Sequence, residues 1–156
     1  MASAPMIVTT SGGEMAVATD TYTYEVSPDV TLSANSAASA FLTFEADTDF
    51  VLQKLTFKTY ANDFLSATDL ENDNQQIPNI LLQITDTASG RRYFESPIPI
   101  NNLFGTGNLP FIFREPPIIA ARSKWLFDFN NYNTSNQYGI IILCLTGTKI
   151  YLKGFS

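Results

Sequence analysis

The stretch Phe50-Val-Leu-Gln-Lys-Leu-Thr-Phe-Lys-Thr-Tyr60 decides the fold. Within it Leu55, Phe57 and Thr59 oppose Lys54, Thr56 and Lys58. A period of two sends alternate side chains to opposite faces of a strand, and β-branched or aromatic residues suit a pleated surface better than a helix. Upstream, Phe41, Thr43 and Glu45 alternate against Leu42, Phe44 and Ala46 until Asp47-Thr-Asp49 breaks the run. Further back, Thr21-Tyr-Thr-Tyr-Glu-Val26 reads as a half-buried strand closed by the turn signal Ser27-Pro28-Asp29. Downstream, Ile80 to Asp86 is a strand, and Thr87-Ala-Ser-Gly90 is a tight connection into a partner strand from Arg91 to Phe94. Trp125–Phe129, Tyr138–Leu145 and Thr148–Lys153 are expected to be the last three strands, with an Asn-rich loop and a Thr146-Gly147 turn between them.

The intervening segments are less regular. Thr31 to Ala40 is rich in Ser, Ala and Asn, which suits an edge or a connection. Asn62 to Gln76, rich in Asp and Asn, is a short helix or a long loop. Residues 96–117 hold five of the eight prolines and should run along sheet edges and corners, because proline lacks the ladder N–H. Gly105-Thr-Gly107 within them lacks the strand-loop-helix setting and following Lys-Ser/Thr of a phosphate loop, and reads as a plain turn. About eight short strands and little helix predict an all-β antiparallel sandwich or barrel. Residues 1–20, small and polar, are expected to be an N-terminal arm, mobile or ordered against a partner. Residues 21–156 are expected to form a single domain.

Composition removes most chemistry. The 156 residues suit one domain, which buries roughly 70% of its unfolded surface. There is no histidine and one cysteine. A Ser-His-Asp triad, a Cys-His dyad, a histidine-ligated metal, an intrachain disulfide and a CxxC pair are therefore all excluded. No enzymatic activity and no cofactor is expected. The longest apolar run, Gly139 to Leu145, falls far short of the ~18–20 residues of a membrane-crossing helix, and Met1-Ala-Ser-Ala-Pro5 lacks a secretory pattern. Neither a membrane nor an oxidising compartment is expected; synthesis is expected in the cytoplasm.

The net charge of −6 divides unevenly: residues 1–78 carry −9 and residues 79–156 carry +3. Net acidity argues against nucleic acid, which needs clustered bases. The scattered bases Arg91, Arg92, Arg114, Arg122, Lys124, Lys149 and Lys153 read as solvated faces and edges; the sharper reading sets the acidic half of one copy against the basic half of another. Asp69, Glu71 and Asp73 have the alternate spacing of a calcium loop. Asn74 and Ile80 stand where its glycine and glutamate belong, so a solvated acidic loop is preferred and no metal is expected. Asp47 and Asp49 bracket a turn and suit capping better than glycosidase chemistry. Cys144, among aliphatics, reads as core. Most aromatics, Trp125, Phe127 and Phe129 most clearly, sit at core-facing strand positions. Phe64, Phe104 and Phe111, in loop or edge settings, are candidates for an intermolecular surface.

Three segments carry a family likeness: Leu82-Gln-Ile-Thr-Asp-Thr-Ala-Ser-Gly-Arg91; Pro97-Ile-Pro-Ile100 with Phe104-Gly-Thr-Gly-Asn-Leu-Pro-Phe111; and Leu126-Phe-Asp-Phe-Asn-Asn-Tyr132 with Leu145-Thr-Gly-Thr-Lys-Ile150. Together with Asp47-Thr-Asp-Phe50, they resemble the small decoration, or cement, proteins of tailed-bacteriophage heads, over residues 41–152. The resemblance implies a jelly-roll-like sandwich on the capsid exterior that bridges and stabilises major capsid protein subunits and associates with itself as a symmetric dimer or trimer. It adds Pro97, Pro99, Arg114, Pro116 and Pro117 to the expected interface and makes the N-terminal arm a second contact. The first forty residues lie outside it, either an arm on the shell or part of a second sheet. A carbohydrate- or receptor-binding jelly roll of a phage head or tail fibre, using exposed Tyr and Trp, is the alternative.

Overall fold

The computed structural model describes residues 6–10, 13–17, 19–30, 32–60, 79–133 and 140–151. Its strands are β1 (Met6–Thr10), β2 (Gly13–Val17), β3 (Thr19–Val26), β4 (Ala37–Thr43), β5 (Thr48–Tyr60), β6 (Ile80–Asp86), β7 (Ile98–Pro99), β8 (Phe111–Ile112), β9 (Ile118–Ile119), β10 (Lys124–Asn131) and β11 (Ile140–Tyr151). One short helix, α1 (Ile100–Leu103), is described with them. Two antiparallel sheets pack together as an all-β sandwich. One runs β3-β11-β5-β8, with β9 also on β5, and the other runs β4-β10-β6-β7. From β3 to β11 the chain changes sheet at every connection except β6 to β7 and β8 to β9.

The core is the inner face of both sheets. Leu55, Phe57 and Thr59 of β5 pair with Leu145, Leu143 and Ile141 of β11, and all six are buried. Phe127 and Phe129 of β10 face Ile84 and Leu82 of β6, again all buried. At one end Tyr24, Phe44 and Phe50 meet edge-on or tilted at 4.9–5.9 Å between ring centroids, and Phe44 continues to Trp125 at 5.1 Å. Such contacts add about 0.5–1.5 kcal/mol each beyond area burial.

The alternation in β5 slips once. Phe50 and Leu52 are buried, Gln53 and Lys54 are both exposed, and Leu55 is buried again. Opposite, Gly147 pairs with Leu52 and Thr146 with Lys54, so Gln53 is the extra residue of a β-bulge. A Cβ on Gly147 would collide with the Val51 carbonyl oxygen. Glycine is there for close backbone approach, which corrects the expected Thr146-Gly147 turn: the two final strands are one, β11.

Of three other segments, the first keeps its expected edge role, the second changes, and the third carries pairing that the sequence did not indicate. The Ser/Ala-rich segment ends in β4, which is an edge strand of its sheet. Arg91 to Phe94 forms no full strand; Gly90, at φ 68°, closes the turn and only Arg92 bridges back, to Thr85. Part of the expected arm, Met6–Val17, carries a ladder of its own from Met6↔Val17 to Thr10↔Gly13. Asn62 to Gln76, including Phe64 and the acidic triplet Asp69, Glu71 and Asp73, lies outside the described residues. None of the described helices is long and apolar enough to cross a membrane.

Candidate functional site

Five prolines shape the run from Pro97 to Ile119, which leaves the edge of one sheet and joins the edge of the other. Pro99 in β7 pairs with Leu81 of β6; Pro97 and Pro99 are both exposed. The chain then dips inward through α1. Ile100 and Phe104 are buried, Phe104 at 1% exposure. Phe104 is therefore a core residue, and the expectation of a surface role is corrected: the turn of α1, with the Phe104 N–H donating to the Ile100 carbonyl at 2.8 Å, aims its ring into the sandwich.

Gly105 follows directly against β5. Its N–H donates to the Leu55 carbonyl at 3.2 Å and its carbonyl accepts from the Phe57 N–H at 2.8 Å. A side chain there would strike the Leu109 and Phe111 backbone. The expected turn then forms: Thr106 N–H donates to the Leu109 carbonyl, and Leu109 N–H to Thr106 Oγ1, both at 3.1 Å. Leu109 is left at the tip, 81% exposed.

From Phe111 to Ile119 the chain lies along β5 as an interrupted edge strand. β8 pairs with Lys54 and Leu55, and β9 with Phe50 and Val51. Between them Phe113 N–H donates to the Gln53 carbonyl at 2.9 Å and Leu52 N–H to the Pro117 carbonyl at 3.0 Å. Arg114, Pro116 and Pro117 sit exposed in the interruption, beside Ile112 and Ile118, each 68% exposed. Phe111, 38% exposed, stands edge-on to Phe113 at 5.1 Å. Of the expected interface residues, the structure thus gathers Phe111, Arg114, Pro116 and Pro117 on one edge, and sets Pro97 and Pro99 on the other sheet.

Register extends this edge across the outer face. Ile118 pairs with Val51, Val51 with Thr148, and Thr148 with Thr21. The next row runs Ile112, Lys54, Thr146, Thr23, with the two threonine hydroxyls 2.9 Å apart. Leu109, Ile112 and Ile118 were not singled out from sequence. The signal was present: apolar residues lay among prolines that forbid a buried ladder.

Beneath the run lies a cavity of about 530 Å³. Leu55 and Leu145 wall it from one sheet, Ile84 and Trp125 from the other, and Phe104 and Phe113 from the run itself. Asp86, Arg91, Tyr93 and Ser123 also line it.

Other candidates resolve into structural roles. Asp49 Oδ1 accepts the Ala121 N–H at 2.9 Å, a bond to the turn before β10 rather than to the turn it brackets. Cys144 is half-buried on the outer face between Thr56 and Glu25, not in the core, because β11 alternates Leu143 and Leu145 inward. Burial, then the Glu25 charge, push its thiol pKa up despite a hydrogen bond with Thr56. Lys149 is not a solvated base but is buried, its Nζ 2.7 Å from Glu45. The acidic and basic halves do not form two faces: β3 and β5 of the first half interleave with β11, β8 and β9 of the second. Among the described residues no cluster of three or more His, Cys, Asp or Glu could hold a metal ion. Comparison with family models, with curated proteins and with solved structures returns no match.

Proposed function

We propose that the chain is a jelly-roll cement protein that decorates a phage capsid, bridging major capsid protein subunits on the outside of the shell. Two features support the fold part of this reading. Taking β8 and β9 as one interrupted lane, the lanes from β3 to β11 number eight in chain order, and the sheets read 1-8-3-6 and 2-7-4-5. That order, with its alternation between sheets, supports reading the sandwich as a jelly roll, an architecture used by viral capsid and lectin domains.

Fold alone does not choose a function. The observation that carries the proposal is the exposed apolar edge: Phe111, Ile112 and Ile118 along one lane and Leu109 at the turn before it stand 38–81% exposed, next to Pro116, Pro117 and a face of threonine and valine that also carries Lys54. Fully burying one such side chain is worth about 1.5–3 kcal/mol, so several on one edge are a strong reserve for a protein partner. Arg114 in the same run supplies a charged hydrogen-bonding group for the rim of the contact. A cement protein gains its affinity by making modest contacts with several neighbours at once, and self-association into a dimer or trimer multiplies them.

Hydrogen exchange on the free protein and on decorated heads tests this. Protection should rise at residues 109–119. Equal exchange there in both states overturns the proposal. The sugar-binding alternative has less support, since Trp125 is 6% exposed and packs against Tyr93 at 4.7 Å between centroids. A glycan screen is expected to return no binder.

A further inference from the structure

A sheet edge exposes a row of backbone N–H and C=O groups, and natural proteins blunt it with charge, proline, bulges or short strands. Three edges of this sandwich are treated so. β3 carries Asp20 and Glu25, β7 is two residues including Pro99, and β8 and β9 are two residues each with Pro116 and Pro117 between them. The fourth is not. β4 reads Ala37-Ala-Ser-Ala-Phe-Leu-Thr43, seven residues without charge, proline or glycine, in unbroken register with β10.

The ladder fixes which groups of β4 are open. Phe44 N–H donates to the Ser123 carbonyl at 2.9 Å and Asn131 N–H to the Ser36 carbonyl at 2.8 Å, so the even-numbered residues bond to β10. Bonded and non-bonded positions alternate in an antiparallel pair, so the N–H and C=O groups of Ala37, Ser39, Phe41 and Thr43 point away from β10. The flanking positions are closed: Asn35 N–H donates to the Asn133 carbonyl at 3.1 Å and Glu45 N–H to the Tyr24 hydroxyl at 3.2 Å. Between them, nothing among the described residues pairs with the outward row.

The side chains indicate what completes the row. β4 is small in its first half, Ala37 to Ala40, and larger in its second, Phe41 to Thr43. Laid antiparallel on a second copy about a two-fold axis at Ala40, it sets Ala37 against Thr43, Ala38 against Leu42 and Ser39 against Phe41. Each larger side chain then meets a smaller one, and every open group enters a bonded pair. Charge agrees. Lys124 Nζ lies 4.4 Å from the centroid of the Phe41 ring, and the Ser39 hydroxyl donates to Asp128 at 2.6 Å. Pairing Phe41 with Ser39 of the second copy thus turns the Lys124 of one copy toward the Asp128 of the other, twice by symmetry. Phe41, 59% exposed, is covered in the same step. We propose that two copies of this chain join edge to edge through β4, so that the sheet of β4, β10, β6 and β7 continues across a two-fold axis. The inference narrows the dimer or trimer of the proposed function to a dimer and rests on the self-association part of that reading alone. It leaves β8 and β9, on the other sheet, to the shell.

Sedimentation velocity on the purified full chain tests the join. Wild type should run as a dimer of twice 17.2 kDa that dissociates on dilution. Phe41→Glu keeps a favourable neighbour in its own Lys124 but meets Asp128 of the second copy. Its dissociation constant should rise at least about tenfold, because the change acts twice across the axis. Ile112→Lys with Ile118→Lys should stay dimeric, which separates loss of the dimer from loss of shell binding. Register is read by crosslinking in a Cys144→Ser background. Ala37→Cys and Thr43→Cys chains, mixed and mildly oxidised, should form a disulfide-linked pair. Thr43→Cys alone, with its two thiols about 20 Å apart, should not. The inference is overturned if wild type is a monomer or a trimer, if Phe41→Glu dimerises as tightly as wild type, or if Thr43→Cys alone crosslinks as completely as the mixture. Should Phe41→Glu unfold, the wild-type mass and the crosslinks still decide the matter.

Discussion

Lys149 occupies a position where strand alternation calls for an apolar side chain, and the sandwich accommodates it with unusual company. Its ammonium lies 2.7 Å from Glu45 and 3.2 Å from the centroid of the Tyr22 ring. The Lys149 side chain is 4% exposed while that of Glu45 is 45% exposed. The pair is therefore lopsided, and so are the expected effects of breaking it. Glu45→Ala strands a buried ammonium and should cost about 2 kcal/mol, less than a fully buried pair because water reaches the carboxylate. Lys149→Met leaves a carboxylate that water can solvate, and should fall within about 1 kcal/mol of wild type. Urea denaturation of the two variants checks the order; equal losses would contradict it.

The same lysine predicts a pH dependence. Burial lowers its pKa, but the hydrogen bond to Glu45, together with the charges of Tyr24, Glu45 and Tyr22, more than offsets this and leaves it raised. A raised folded value means that the native state holds the proton after the unfolded chain has lost it. The stabilisation is complete below the unfolded value of about 10.4 and declines as pH climbs through the folded value. Wild-type stability should fall more steeply than that of Lys149→Met above about pH 10.4, and in parallel with it below. Sequence could not place Lys149 correctly because Thr146-Gly147 looked like a break, and a break hides the phase of the residues beyond it; Cys144 was misplaced because the run Ile140 to Leu145 is apolar throughout and shows no alternation. Read as one strand, positions 141, 143, 145, 147 and 149 all point inward.

Among the elements, β5 with its bulge and the proline-rich run bear most of the account. Gly147→Ala should cost about 3 kcal/mol, since its Cβ meets backbone rather than a movable side chain. Gly107→Ala, with open space around it, should change stability by no more than about 1 kcal/mol. In the run, Phe104→Ala should cost about 3–5 kcal/mol through the cavity it leaves, whereas Phe111→Ala should cost about 1 or less. Guanidinium melts of the four variants measure both contrasts. The strands themselves were legible wherever a period of two ran unbroken, as in Ile80–Asp86, whose bounds agree with the sequence reading. The run was legible as an edge, because proline excludes a ladder. Which of its apolar residues turn inward was not, because that choice is made by α1 and by Gly105 backing onto β5.

At the scale of the molecule, pairing partners far apart in sequence decide everything, and local patterns are silent about them. Nothing in Thr19–Val26 announces that its neighbour is Ile140–Tyr151. The uneven charge of the two chain halves likewise suggested two faces, until the interleaving of their strands mixed them. What stands out at this scale among the described residues is the apolar edge of β8 and β9, and the central claim is that this edge docks on a capsid. Cosedimentation of the purified full chain with phage heads stripped of their decoration measures that directly. Wild type should bind saturably, at a stoichiometry matching the symmetry of the shell. The double variant Ile112→Lys, Ile118→Lys should melt with wild type, to within about 0.5 kcal/mol, and lose the binding. Failure of wild type to bind the heads, or binding by the variant as tight as wild type, would contradict the account.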